Sequence, residues 1–162
     1  MAYWRVIFLA LLVITLDQAV KYSMIDMMQQ RAFMPLEITP FFNIVMVWNK
    51  GVSFGILSSA DARHGLIVLS LCVVSGLFWW HRKTTHILAL LGVGCIAGGA
   101  LGNVIDRIRY RAVADFFDVH LFGYHWPAFN IADMSIVCGV CCLCYLEWKI
   151  SSIEKKKSLG QI

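Results

Sequence analysis

The sequence predicts an all-α polytopic membrane protein: four transmembrane helices, with a small β-rich region on the outer side between helices 1 and 2. Three observations carry that prediction. Of the 162 residues, 59% are hydrophobic and only 15% charged, a balance that soluble domains do not show. Four apolar stretches, at about 4–24, 64–81, 86–106 and 129–149, each approach the roughly 20 residues needed to cross a bilayer. The 25–63 segment between the first two alternates Phe41, Phe42, Ile44, Val45, Val47 and Trp48 with the breakers Pro35, Pro40 and Gly51, the pattern of short strands and turns.

The first span is the least apolar, because Val6 to Leu16 gives way to Asp17, Gln18 and Lys21. A signal peptide would also have an early Arg and an apolar run, but it needs small residues where Asp17 and Gln18 stand. A retained helix fits better. In the outer region 25–63, a small sheet or hairpin at headgroup level would place Trp48 and Phe54 at the interface that aromatic rings favour. The second span is plainly apolar. The third carries Gly94, Gly98 and Gly102 at four-residue spacing, with Gly99 and Ala100 beside them, so one face admits a close helix neighbour. The fourth opens on Asn130 and Asp133, the residue types of a helix N-cap and its third position.

Together these spans make one membrane domain over 1–162, with outer regions at about 25–63 and 107–128. Lys149, Lys155, Lys156, Lys157, Arg82, Lys83 and Arg5 fall on one side, which the positive-inside rule makes cytoplasmic together with both termini. The other side also carries Arg31, Lys50, Arg63, Arg107, Arg109 and Arg111. The net charge of +4 and the basic tail suit anionic lipid headgroups rather than nucleic acid.

Ionisable groups beside lipid-facing segments are functional candidates, since an unpaired carboxylate near hydrocarbon costs several kcal/mol. Asn103, Asp106 and Arg107 are three and four residues apart and share a helix face. An Asp106–Arg107 pair closing the helix end is the plainer account of those two. Asp133 by itself reads as capping. Asp115 leads toward it, however, and two carboxyls in one pocket divide acid and base roles, because both do not ionise together readily.

Other chemistries are weaker. Cys138, Cys141, Cys142 and Cys144 crowd the last span, with Cys72 and Cys95 elsewhere; within apolar helix they act as small hydrophobes. His120 and His125 flank the loop holding Asp115 and Asp118 and could form an N/O metal set, although no compact zinc motif is present. A transport relay through Asp17, Lys21, Asp106, Arg107 and Asp133, or an inactive scaffold, is the alternative from another class.

Five motifs occur in order: Asp17-Gln18 with Lys21; WNKGVSFG, holding Asn49, Gly51 and Phe54; GNVIDR; VADF; and FNIAD. On these the chain resembles the bacterial lipoprotein signal peptidases, the type II signal peptidases, an aspartyl protease family of the inner membrane. The resemblance implies a catalytic dyad at Asp115 and Asp133, supported by Asn103, Arg107, Asn130 and Asn49, with Asp17, Lys21, Asp106 and Gly51 as further motif residues. Asp106 is expected to orient Arg107 or the loop. It implies a diacylglyceryl-modified prolipoprotein as substrate, cut on the amino side of the lipidated lipobox Cys at the periplasmic face. It implies membrane lipids as surroundings, a monomer, and neither cofactor nor metal. Arg111 stands where that family usually has Gly, and Val52 where Ala is common. The Asp-Ser/Thr-Gly signature of soluble aspartic proteases is absent.

Overall fold

A computed structural model of the chain describes residues 2–51, 62–82 and 85–158; Val52, Phe54 and Lys83 lie outside the described residues. Four helices are long and apolar enough to cross a membrane: α1 (Ala2–Gln30), α2 (Ala62–His81), α3 (Ile87–Tyr110) and α4 (Ile131–Ser158). α1 continues well beyond Asp17, Gln18 and Lys21, so these polar residues lie inside the helix and not at its exit. Leu12, Val68, Leu69 and Val137 point outward, as they do where lipid is the surrounding solvent.

α3 is the central helix, packed between α1 and α4, and most of its residues are buried. Its glycines permit this. A Cβ on Gly98 would meet the Ala10 carbonyl at 2.8 Å and Val13 Cβ at 2.7 Å on α1, while one on Gly99 would strike the Ala132 carbonyl on α4. Small residues on two faces therefore bring two backbones against one helix.

At the end where α1 and α3 finish and α4 begins lies an antiparallel sheet in the order β1-β2-β3-β4, formed by Leu36–Thr39, Phe42–Asn49, Val113–Leu121 and Tyr124–His125. The β-rich region is thus not confined to the connection between helices 1 and 2. Half its strands come from the connection between α3 and α4, and β2 pairs with β3 along most of its length. In β3 both faces carry an acid, Asp115 on one and Asp118 on the other, which hides the period-2 pattern that marks a strand.

A bulge in β2 decides which side chains meet. Ile44 pairs with Phe117 and Val47 with Asp115, so β2 spends one residue more than β3 over that stretch. An extra residue reverses which face later side chains occupy. Asn43 therefore meets Asp118 on one face, and Asn49 meets Asp115 on the other.

Arg111 caps α3 in the left-handed region, φ 61° and ψ 10°, the conformation that a Gly adopts at least cost. Left-handed backbone costs a non-glycine residue about 1–2 kcal/mol, partly offset because Gly gains more freedom on unfolding. Arg111→Gly is therefore expected to raise the melting temperature slightly, by the equivalent of at most about 1 kcal/mol, which thermal unfolding in detergent will show. A clear drop would mean that the Arg111 side chain holds the turn.

Candidate active site

Asp115 and Asp133 reach one place by different routes. β3 delivers Asp115, 2% exposed. The chain then turns through β4 and returns along β3, where Phe129 exchanges backbone hydrogen bonds with Phe117 and also accepts from Phe116 N–H. That return sets Asn130 beside Asp115 and starts α4 with Asp133 in its first turn.

Asn130 links the two acids. Its Nδ2 donates to Asp115 Oδ1 at 2.7 Å. Its Oδ1 accepts from Asp133 N–H at 3.0 Å, and Asp133 Oδ2 accepts from Asn130 N–H at 3.1 Å. The last two bonds are a reciprocal helix cap, so the capping that the sequence suggested is real and sits within the site. Asn49 Nδ2 donates to Asp115 Oδ2 at 3.0 Å, and Asn103 Nδ2 donates to Asp133 Oδ1 at 2.9 Å.

Each amide is held in the orientation that donates. Asn49 Oδ1 is engaged by Gly51 N–H at 2.7 Å, and Gly51 makes that return with φ +79°, where a Cβ would run into the Leu66 side chain. Asn103 Oδ1 accepts from Lys21 Nζ at 2.9 Å and Asn130 Nδ2 at 3.3 Å. Every carboxylate oxygen of Asp115 and Asp133 therefore receives a neutral N–H donor.

The motif cations are placed differently from the local expectation. Asp106 does not pair with Arg107. It lies 2.8 Å from Lys21 Nζ, and it accepts from Gln18 Nε2 at 2.9 Å and Ala114 N–H at 3.3 Å. Through Ala114 N–H, Asp106 holds the start of β3 immediately before Asp115. The helix-end ion pair does not form, because Lys21 of α1 reaches the carboxylate first. Lys21 also lies 2.9 Å from Asp17. Arg107 donates from Nη1 to the Asn103 carbonyl at 3.4 Å.

The N/O metal set does not assemble around Asp115. Asp118 and His120 leave β3 on the face opposite Asp115, as strand alternation requires. Asp118 engages His125 Nδ1 at 2.8 Å, and the His120 and His125 rings stack at 4.7 Å. Among the described residues no three such donors converge on one point. The remaining wall of the site is apolar: a groove of about 420 Å³ lined by Trp126, Phe129, Met134, Val137 and Cys138, with Asp133 as its acid.

Burial pushes the Asp115 carboxyl up to about 6; the Asp133 charge adds to the rise, while Asn49, Asn130 and Lys21 oppose it. A rise from 3.8 to about 6 corresponds to about 3 kcal/mol. The folded chain holds that proton more tightly than the unfolded chain does. The contribution is therefore present in full below about pH 4 and is lost as pH rises through about 6. The gap in melting temperature between Asp115→Asn and the unmodified chain should widen in favour of the variant from pH 4 to about 6.5, then level off. A gap independent of pH would show that Asp115 titrates as an ordinary exposed carboxyl.

Sequence and structure comparisons agree on one group of proteins. The sequence model of signal peptidase II matches residues 9–149. A lipoprotein signal peptidase of Syntrophotalea carbinolica is 38% identical over 92% of this chain and 94% of its own length. That of Beijerinckia indica is 42% identical over 83% and 81%. A solved bacterial membrane enzyme, determined by the in meso method at 1.9 Å, superposes with a TM-score of 0.75 and 31% identity, covering 87% of this chain and 90% of that one.

Proposed function

From the premise that the chain belongs to the signal peptidase II family, we propose that it is a membrane aspartyl endopeptidase in which Asp115 and Asp133 activate water. Its family cleaves signal peptides from prolipoproteins in bacterial membranes. The finer assignment is a cut on the amino side of a lipobox Cys that already bears diacylglycerol, made by a monomer with both termini cytoplasmic and the site at the periplasmic face. The observation that carries it is the linkage of the two carboxyls through one residue, Asn130, whose side chain donates to Asp115 and whose backbone N–H donates to Asp133, beside an apolar groove. Three amides hold the carboxyls, and among the described residues no cation bonds to either.

The pair works with one shared proton. The ionised carboxylate takes a proton from water as the oxygen attacks the peptide carbonyl, and the protonated carboxyl donates to the developing oxyanion. Collapse of the tetrahedral intermediate breaks the C–N bond, and the proton taken from water passes to the leaving amine. Asp115, with its raised carboxyl, is suited to carry the shared proton, although the two titrate as a unit. The groove suits an apolar signal peptide arriving from lipid, with the acyl chains left in the bilayer.

Purified protein offered a diacylglyceryl-modified precursor, the same precursor without lipid, and a non-lipoprotein precursor should cut the first alone, with chelator present. Equal cutting of the unlipidated precursor would remove the lipid requirement, and loss of cutting with chelator would remove the metal-free dyad.

A further inference from the structure

Lys21 is 2% exposed and Asp17 and Asp106 are fully buried; the dyad chemistry above uses none of the three. Lys21 Nζ has three acceptors around it: Asp17 Oδ2 at 2.9 Å, Asp106 Oδ2 at 2.8 Å and Asn103 Oδ1 at 2.9 Å. The ammonium group has three N–H bonds to give, so it is fully used. Each of the two carboxylates has a second task. Asp106 Oδ2 accepts from Ala114 N–H at 3.3 Å, the residue just before Asp115. Asp17 Oδ1 accepts from Ala132 N–H at 3.0 Å, the residue just before Asp133. The third acceptor, Asn103, donates to Asp133 itself.

We propose that Lys21 is a positioning residue that sets the separation of the two reacting carboxyls, by clamping the two buried acids that grip the backbone immediately before each of them. The inference rests on the dyad reading given above. The cluster is built into the fold. Gly102 leaves the room that Asp17 occupies, since a Cβ there would stand 2.6 Å from Asp17 Oδ2, and Gln18 Nε2 ties Asp17, Asp106 and the Gly102 carbonyl together. Buried ion pairs are poor stabilisers, because desolvation offsets most of the attraction. Their strength is geometric: one Lys on α1 reaches the approach to Asp115 on β3 and the start of α4 at once. A displacement of about 1 Å at reacting groups lowers a rate by about 100-fold, so a spacer of this kind acts on turnover more than on binding.

The test uses charge-compensated variants. Lys21→Met with Asp106→Asn removes the hub, leaves the cluster's net charge unchanged, and keeps an oxygen able to accept from Ala114 N–H; Lys21→Met with Asp17→Asn does the same for the other arm. Each is measured beside the unmodified chain and Asp133→Asn for melting temperature, kcat, KM and pH profile on the lipidated precursor. The expected result is a folded variant with kcat down about 100-fold, KM within about twofold, and the dyad's pH limb unmoved. Lys21→Met alone should also move that limb to higher pH, since it strips a positive charge from near Asp115. A folded compensated variant with unimpaired kcat overturns the proposal, and so does a change in KM alone. Failure of both compensated variants to fold also overturns it, because Lys21 would then hold the bundle together and not space the acids. An active unmodified chain and an inert Asp133→Asn variant in the same series keep the protease reading standing when the hub fails; an inert unmodified chain counts against both.

Discussion

Asp115→Asn and Asp133→Asn are each expected to lower cleavage of the lipidated precursor by about 1,000-fold or more, with the fold retained. The size follows from the chemistry: each change removes a group that must exchange a proton in the transition state, and a carboxamide does not replace it. Retention of the fold follows from the surroundings. Asp115 sits among neutral donors and 2% exposed, so an uncharged side chain of the same shape removes a desolvated charge. One donor is left facing the new amide nitrogen, since Asn has a single oxygen for Asn49 and Asn130 to share, and that returns about 1–3 kcal/mol of the gain. At neutral pH the melting temperature of Asp115→Asn should therefore match or exceed that of the unmodified chain while cleavage is lost. A folded variant with undiminished turnover would take that residue out of the chemistry.

The parts of this site that were legible in the sequence are those encoded locally. Asn130 and Asp133 announce a cap by their spacing, and the cap is present. Gly94, Gly98 and Gly102 announce a close helix neighbour, and α1 meets all three, through Leu9, Val13 and Asp17. Arg111, which stands where the family usually has Gly, is left-handed although the residue is Arg. Interactions between distant segments were not legible. Nothing within α3 indicates that Asp106 belongs to Lys21 of α1 instead of its neighbour Arg107. Nor does the run Val113–Leu121 declare itself as a strand, because its acids fall on opposite faces; only the pairing with β2 and its bulge sorts Asp115 from Asp118. The same reason keeps the His and Asp donors from converging on Asp115 among the described residues, as proximity in sequence placed His120 beside Asp115 while strand alternation turned them apart. The motifs named the residues, and the pairing of strands determined which of them could touch.

Asn130 provides the sharpest separation of cap from chemistry. It is fully buried and makes bonds of two kinds, a reciprocal cap with Asp133 and donations to Asp115, Asn103 and the Ala114 carbonyl. Asn130→Ala removes the side-chain half of the cap and all of the side-chain donations, and leaves the backbone N–H of that position on Asp133 Oδ2. Loss of the side-chain cap costs about 1 kcal/mol, and loss of the donor frees the Asp115 carboxyl from the start of α4 that carries Asp133, so kcat should fall by about 100-fold or more as their relative placement relaxes. Asn130→Ser divides the two effects. Serine is as good a cap as asparagine, but it lacks the length and the second polar atom needed to donate to Asp115 while accepting from Asp133. The serine variant should therefore melt close to the unmodified chain and still cleave about as poorly as the alanine variant. Recovery of cleavage along with stability in Asn130→Ser would mean that fixing the start of α4 is sufficient, and that the amide linking the two acids contributes nothing of its own.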